Sequence, residues 1–230
     1  MKVIGISPHR RNFLRKAVTA APAVALLAGA GIGVAASVAP PGAYQPTYFS
    51  ADEWRTLTAL VDRMIPASPE GPGAVEAGVH AFIDAQMNTP YAHGRLCYMQ
   101  APFAPDSKPE FGYQFHMPPR DLYRSGLAGL DQAAQSRFRK PFADLEPAQR
   151  DTMIVALEQG LLAIGEVPPK TFFGQLLANT REGYFCDPVH GGNKDMAAWR
   201  MIGFPGARGD YTDWVEQYGK KYPLPPASLA

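Results

Sequence analysis

The sequence predicts an all-α fold, in the form of one small, irregular helical domain with long loops rich in proline and aromatic residues. Three observations support this fold class. Apolar residues recur at helical spacing in several segments, and most of these segments are bounded by residues that start or stop helices. No segment alternates apolar and polar residues convincingly enough for a β-strand. With 46% hydrophobic and 19% charged residues among 230, the composition is that of a single globular domain.

Two helices are predicted in the first half of the domain. Ser50 and Glu53 have the spacing of a capping box, in which each side chain bonds the backbone N–H of the other residue, and Pro66 ends the helix that follows. A Gly-Pro-Gly turn at residues 71–73 precedes the second helix. The expected apolar faces comprise Trp54, Leu57, Leu60, Val61, Met64 and Ile65 in the first helix, and Val75, Val79, Phe82, Ile83 and Met87 in the second.

Further helices are predicted after residue 118. Pro119 and Pro147 stand where a helix would begin, a position that tolerates proline because its N–H has no partner within the helix. The remaining helices are expected around three groups of residues: Phe172, Phe173, Leu176 and Leu177; Trp199 to Ile202, capped by Asn193; and Trp214, Val215 and Tyr218.

Two segments are not expected to be helical. Between the second and third helices, residues 98–119 contain five prolines and five aromatic residues, so this segment either folds over its own domain or lies on a partner. The tail, residues 222–230, contains three prolines and is expected to be extended, which would allow it to reach a neighbouring molecule.

The N-terminal 39 residues resemble a twin-arginine export signal. Arg10, Arg11, Phe13 and Leu14 lie in a basic region, and an uncharged run rich in alanine and glycine follows. An uncleaved membrane tether is the alternative, although such a span needs about 20 strongly apolar residues. The predicted organisation is therefore a signal at residues 1–39, a linker at 40–49, a helical domain at 50–221 and the tail at 222–230.

The distribution of charge argues against a nucleic-acid partner. Residues 1–39 hold five of the 22 basic residues and no acidic residue, which leaves 17 basic against 21 acidic residues in the remainder, a net charge of −4. A domain with this net charge lacks the basic surface that attracts a polyanion.

One polar loop, Gly183 to Ala207, contains residues that could carry chemistry. Cys186, Asp187 and His190 are close in sequence, as in a metal site or a cysteine–histidine nucleophile pair. A zinc site needs three or four ligands at suitable spacing, and a nucleophilic cysteine needs a feature that lowers its pKa. We therefore favour a structural loop with turns at residues 187–188 and 190–192, and we expect no catalytic residue and no metal ligand in this chain.

The sequence contains two cysteines, Cys97 and Cys186. Export makes a disulfide between them conceivable, and closing so long a loop would stabilise the fold by about 4 kcal/mol in the chain-entropy model. The twin-arginine route transports proteins that have folded in a reducing cytoplasm, which argues against the bond. The disulfide stays an open alternative.

Several blocks of the sequence resemble the small-subunit family of gluconate 2-dehydrogenase, also called the subunit 3 family. The blocks are "EWRTLTALVDRMIPA", "GPGAVEAGVHAFID", "FGYQF", "DLYRSGLAGLD", "KPFADLEP" and "GYFCDPVHGGNKDMAAWRMIGFPGA". They extend from about Glu53 to Ala207, and the last block is the most specific.

The resemblance implies that the chain holds no cofactor itself and is a partner of two other subunits. One is a large FAD-dependent dehydrogenase of the GMC type, which oxidises a sugar, polyol or aldonic acid; the other is a membrane-bound cytochrome c subunit with haem c. Gluconate is the first substrate we expect, followed by glucose, sorbitol, fructose and 2-ketogluconate. The complex would lie in the periplasm, at the outer face of the cytoplasmic membrane.

The same resemblance suggests why a chain without a cofactor motif carries a signal for folded cargo. The flavoprotein would receive FAD in the cytoplasm and leave through the twin-arginine translocase on the signal of this subunit. The polar loop is then expected to be a docking surface, with Tyr184, Phe185, Trp199 and Phe204 as aromatic anchors and Asn193, Lys194 and Asp195 as polar contacts. In the alternative, the aromatic residues fill the core and Asn193 only caps a helix.

Two other functions remain open from the sequence. The chain could be an export chaperone that releases the flavoprotein after transport. It could also be an independent periplasmic enzyme that uses Cys186, Asp187 and His190.

Overall fold

Six α-helices occupy the part of the chain that the computed structural model describes, residues 44–104 and 107–229. They are α1 Ala51–Met64, α2 Val79–Gln86, α3 Pro119–Phe138, α4 Pro147–Gln159, α5 Pro169–Phe185 and α6 Ala197–Ile202. Over these residues no β-strand forms, and strand-like pairing is limited to isolated bridges. The predicted all-α fold class is therefore confirmed. The signal predicted at residues 1–39 lies outside the described residues.

Helix α1 begins with the predicted capping box. The backbone N–H of Glu53 donates to Ser50 Oγ at 3.3 Å, and the backbone N–H of Ser50 donates to Glu53 Oε2 at 2.8 Å. The two bonds satisfy N–H groups that the first helical turn cannot pair. Ile65, directly before Pro66, has left the helical conformation, so the helix ends where the proline predicted.

Helices α3, α4 and α5 each start at a proline: Pro119, Pro147 and Pro169. The proline ring fixes φ near the helical value at the position where an N–H would have no helical partner. Helix α4 ends at Gly160, whose φ of 77° is readily adopted only by glycine. Local sequence therefore sets both ends of this helix.

Helix α5 is the central element, because it packs against each of the other five helices. One continuous face of α5 is buried, with residues at helical spacing: Phe172, Leu176, Asn179, Thr180, Gly183 and Tyr184. The face is closely packed against α3, since a Cβ added to Gly126 would lie 2.4 Å from the ring of Phe172. The carboxyl end of α5 is packed just as closely, since a Cβ added to Gly183 would lie 2.7 Å from the ring of Phe82.

The segment directly before α1, residues 44–50, is attached to the rest of the domain by Asp84 of α2. Asp84 is fully buried and accepts hydrogen bonds from the backbone N–H groups of Thr47, Tyr48 and Phe49 at 2.7, 3.0 and 3.0 Å. The hydroxyls of Tyr44 and Thr47 also donate to this carboxylate, each at 2.8 Å. A buried carboxylate is stable only with such donors, so the segment and the carboxylate stabilise each other.

These hydrogen bonds also set the pKa of Asp84. Burial by itself raises the pKa, but the donors on residues 44–49 outweigh the burial and hold the pKa below its ordinary value. The sequence did not indicate this role, because nothing close to Asp84 along the chain distinguishes it from an exposed helical aspartate.

Two helix predictions need correction. Helix α2 begins at Val79, and Val75 lies in the preceding turns. The last helix, predicted around Trp214, Val215 and Tyr218, does not form; a single 3₁₀ turn, Thr212–Trp214, stands in its place. Val215 and Tyr218 are 62% and 83% exposed, so this apolar face has no surface to pack on, and short helices depend on such packing.

Residues 98–104 and 107–118 are irregular apart from one 3₁₀ turn, Pro109–Phe111, as their prolines predicted. Part of this segment folds onto its own domain: Phe115 is buried in the core, and Tyr113 and Met117 pack against it. Tyr98 and Phe111 remain 65% and 71% exposed. A contact of these two rings with a partner stays a prediction.

Replacing Asp84 by Asn should lower the free energy of unfolding by about 2 to 4 kcal/mol near pH 7, because three backbone donors lose a buried, charged acceptor. Urea denaturation of the purified chain measures the change. Glu158→Gln, at an exposed site, is the control and should change the free energy by less than about 0.5 kcal/mol.

The difference between wild type and Asp84→Asn should also depend on pH. A carboxylate with a lowered folded pKa stabilises the fold above its unfolded pKa, about 3.9, and loses this contribution as the pH falls through the folded pKa. The difference should therefore be largest above about pH 5 and shrink below about pH 4. A constant difference down to pH 2 would contradict the assignment of a buried anion.

Candidate docking site at the end of helix α5

The polar loop predicted as a site begins within the last turn of α5 and ends after α6. Two 3₁₀ turns, Pro188–His190 and Lys194–Met196, connect the two helices. The loop therefore starts from a buried end of the central helix, since Gly183 and Tyr184 are both buried.

The loop supplies hydrogen-bond donors to the carbonyl groups at the end of α5. The backbone N–H of Asn193 donates to the carbonyl of Gly183 at 2.9 Å, and the indole N–H of Trp199 donates to the carbonyl of Phe185 at 2.8 Å. The side-chain amide of Asn193 donates to the carbonyl of Cys186 at 2.9 Å. Because the last carbonyls of a helix have no helical partner, the loop acts as the cap of α5.

Asn193 is fully buried and bonds in both directions. Besides the donation to Cys186, its side-chain oxygen accepts the backbone N–H of Ala198 at 3.0 Å, in the first turn of α6. Helix α6 begins at Ala197 with Met196 at its N-cap, so Asn193 bonds the first turn from outside the cap position that the sequence predicted. One amide side chain thus joins the end of one helix to the start of the next.

The backbone between Asn193 and α6 is strained. Asn193, Asp195 and Met196 have φ values of 44°, 57° and 54°. Glycine adopts this left-handed region freely, asparagine and aspartate adopt it occasionally, and methionine adopts it rarely. Such a conformation persists only where the surrounding contacts enforce it, and it is found preferentially at functional sites. Here the bonds of Asn193 and a bond from Lys194 N–H to the carbonyl of Ala77, at 3.0 Å, enforce it.

Gly192 lies too close to α5 for any side chain. A Cβ at this position would be 2.1 Å from the carbonyl oxygen of Gly183 and 2.9 Å from the sulfur of Cys186. The sequence indicated a turn at residues 190–192, and the close approach of the loop to the helix gives a second physical reason for the glycine.

The predicted docking residues divide into two groups. Tyr184, Asn193 and Trp199 are buried in this chain, with exposures of 3%, 0% and 5%; Tyr184 also donates its hydroxyl to the carbonyl of Pro72 at 2.6 Å. The other four are exposed: Phe185, Lys194, Asp195 and Phe204. A docking role of the loop therefore depends on the exposed group, and the buried group holds that group in place.

Further exposed apolar side chains lie beside Phe185 and Phe204 in the sequence. Met201 and Ile202 at the end of α6 and Val189 in the 3₁₀ turn Pro188–His190 are between 41% and 55% exposed. Sequence reasoning missed these three, because apolar residues near a short helix are usually assigned to the core. The aromatic residues Trp199 and Phe204 are in edge contact, with ring centroids 5.1 Å apart, so the exposed ring is supported by the buried one.

Of the three residues considered as a nucleophile or metal site, Cys186 is half-buried and Asp187 is hydrogen-bonded to the C-terminal tail. Burial raises the pKa of the Cys186 thiol, which disfavours the thiolate that a nucleophile requires. Asp187 accepts hydrogen bonds from the C-terminal tail, from Ser228 Oγ at 2.6 Å and from the backbone N–H of Leu229 at 2.8 Å. The carboxylate that could have oriented His190 is thus occupied by a structural contact.

The two cysteines are not joined, and both are half-buried. Within residues 44–104 and 107–229, no group of three or more histidine, cysteine, aspartate and glutamate side chains is arranged to hold a metal ion. In the same residues, none of the helices has both the length and the apolar character needed to cross a membrane.

Gly192→Ala should lower the free energy of unfolding by about 1 to 3 kcal/mol, because the new methyl group would displace the loop from the end of α5. Chemical denaturation measures the loss. Gly209→Ala is the control: the added methyl group meets no atom within 4 Å, and we expect less than about 0.5 kcal/mol. Equal losses for the two variants would show that the loop tolerates displacement.

Trp199→Ala should lower the free energy of unfolding of the purified chain by about 3 to 5 kcal/mol, since a buried ring and a helix cap are lost together. Phe204→Ala should cost less than about 1.5 kcal/mol, because 44% of that ring is already in water. Thermal unfolding of both variants tests the division into a buried and an exposed group. A loss at Phe204 as large as that at Trp199 would place Phe204 in the core.

Comparison with known proteins bears on the same loop. The family model described as "Gluconate 2-dehydrogenase subunit 3" matches residues 51–206, about two thirds of the chain, and so includes all six helices and the loop except for its last residue. Searches of curated proteins and of solved structures returned no match. Since the match covers more than half of its length, the chain belongs to the gluconate 2-dehydrogenase subunit 3 family.

Proposed function

We propose that this chain is the non-catalytic small subunit of a heteromeric periplasmic dehydrogenase, needed for the assembly and export of the flavoprotein subunit. The observation that carries the proposal is the family match over residues 51–206, because the family is described as a subunit of gluconate 2-dehydrogenase. The partners are a large FAD-dependent subunit of the GMC type, which oxidises a sugar, polyol or aldonic acid, and a membrane-bound cytochrome c subunit. Gluconate is the first candidate substrate.

The geometry of the loop supports a binding role. The buried residues Tyr184, Asn193 and Trp199 form a fixed base, and the exposed side chains of Phe185 and Phe204 stand on it. Exposed aromatic residues on a preformed surface are typical of interface centres, because they bury a large area with little loss of conformational entropy. The strained turn at Asp195 and Met196 belongs to the same loop, in which the side chains of Lys194 and Asp195 are exposed.

The redox chemistry belongs to the other subunits in this proposal. FAD in the large subunit accepts the electrons of the substrate, and haem c in the cytochrome subunit passes them to the respiratory chain. This chain contributes contacts and the export signal. The independent enzyme that we considered from the sequence is disfavoured, because Cys186 has a raised pKa and Asp187 holds the C-terminal tail.

The export role rests on the N-terminal sequence. Arg10 and Arg11 are the only adjacent arginines in the chain, and an uncharged run rich in alanine and glycine follows them. A route for folded proteins suits a flavoprotein that acquires FAD before it crosses the membrane. The signal on this chain would then carry the assembled pair through the twin-arginine translocase to the outer face of the cytoplasmic membrane.

The test is co-purification together with a change of the signal. A tagged wild-type chain should recover, from the periplasmic side, a protein with a flavin absorbance spectrum and dehydrogenase activity. Replacing Arg10 and Arg11 by Lys retains the positive charge but removes the guanidinium groups, so it should leave both proteins in the cytoplasm. There the flavoprotein should still oxidise substrate with an artificial acceptor.

Three outcomes separate the alternatives. Export of the flavoprotein in the lysine variant would remove the carrier role. Recovery of the flavoprotein only with precursor chains, and not with mature ones, would indicate a transient export chaperone. Turnover by the purified chain alone would contradict the non-catalytic role.

A further inference from the structure

The C-terminal tail folds back beside α6 and becomes part of the loop region. The backbone N–H of Ala207 donates to the carbonyl of Ala227 at 2.7 Å, and that of Ala227 donates to the carbonyl of Pro205 at 3.2 Å. Beyond this pairing, Asp187 accepts the bonds of Ser228 and Leu229. Residues 222–229 form no helix, and these bonds attach this part of the tail to its own chain.

A second contact fixes the start of the tail. The guanidinium group of Arg208 lies over the ring of Tyr222, 4.8 Å from the centroid, and donates to the carbonyl of Pro225. The rings of Tyr211 and Trp214 are in edge contact with Tyr222, at 5.7 and 5.3 Å between centroids. The residues between these anchors include Pro223, Pro225 and Pro226, which restrict the backbone further.

Two adjoining grooves lie between the tail and α6. The first, of about 350 Å³, has Trp199, Arg200 and Phe204 on one wall and Lys221, Leu224 and Pro226 on the other. The second is lined by Ile202, Trp214, Val215 and Lys220, among others. Both grooves share Gly203, Pro205, Lys221 and Tyr222, so they form one continuous depression, which we call the tail groove.

The tail groove combines exposed apolar side chains with positive charge. Ile202, Phe204, Val215 and Leu224 are between 44% and 62% exposed. The cations at the groove are Arg200, Lys220 and Lys221, and no carboxylate is among the described residues that line it. In the described part of the chain, each ion pair involves a residue of α1, so these three cations take part in none of them.

This charge is opposite to that of the chain that carries it. After residue 39 the net charge is −4, from 17 basic and 21 acidic residues. Asp213 and Glu216 lie nearby along the chain but are not part of the lining, so the lining itself is positive and favours an acidic ligand. Four exposed apolar side chains in the same groove favour a protein segment over a small anion, because an anion would leave them in water.

We propose that the tail groove binds an extended segment of the partner protein that carries both acidic and apolar side chains. The inference rests on the proposed function, which supplies the partner as the flavoprotein subunit. A groove with two fixed walls suits an extended segment, since the walls lose little entropy on binding. The wall formed by Trp199, Arg200 and Phe204 lies within the family match, which ends at residue 206. The wall formed by the tail lies outside the match, so the tail can make the contact specific to one partner.

Two single substitutions test the groove in the full chain, with the flavoprotein recovered by the wild type as the probe. Lys221→Glu and Leu224→Ala should each weaken the affinity about tenfold or more, with an unchanged melting temperature. The effect of Lys221→Glu should shrink at high salt, because the attraction is electrostatic. Lys140→Glu and Leu161→Ala, both at exposed positions outside the groove, are the matched controls and should bind like the wild type.

The outcomes distinguish this inference from the proposed function. If the wild type recovers no flavoprotein, the proposed function fails and the groove has lost its partner. If the wild type binds and both groove variants bind within twofold of it, the groove is not the contact, while the subunit role stands. Self-association that requires Leu224, or binding to phosphatidylglycerol vesicles that requires Lys221, would assign the groove to a second copy or to a membrane and overturn the inference.

Discussion

The carbonyl groups at the end of helix α5 impose the constraint on which the candidate site depends. These groups have no partner within the helix, and the helix is packed against all five others, so its end lies close to the core. Asn193 and Trp199 supply the missing donors. The loop must therefore approach α5 closely, which requires glycine at position 192 and a left-handed backbone at Asp195 and Met196.

This constraint explains why neighbouring aromatic residues have different surroundings. Tyr184 and Phe185 are consecutive, but successive helical residues point about 100° apart. Tyr184 therefore faces the core and bonds Pro72, whereas Phe185 is 40% exposed. A surface of this kind is well suited to binding, because the exposed rings stand on side chains that cannot move independently.

Two aspartates hold the ends of the described chain. Asp84 accepts the backbone N–H groups of residues 47–49, and Asp187 accepts that of Leu229. In both cases hydrogen bonds outweigh burial and lower the pKa of the carboxyl group. The same chemistry has two consequences: at Asp84 it attaches the segment that follows the predicted signal, and at Asp187 it holds the tail beside α6.

The sequence by itself determined the elements that depend on residues within one helical turn. The capping box of Ser50 and Glu53, the starts at Pro119 and Pro147 and the stop at Gly160 are of this kind. The family could also be identified from contiguous blocks. Tertiary structure alone decided which of Tyr184, Phe185, Trp199 and Phe204 are exposed, that Asp84 and Asp187 bind terminal segments, and that the apolar spacing around Trp214 gives no helix. Burial and hydrogen bonding at these positions come from residues far away along the chain. A local sequence pattern does not indicate which distant residues, if any, will pack against a given side chain.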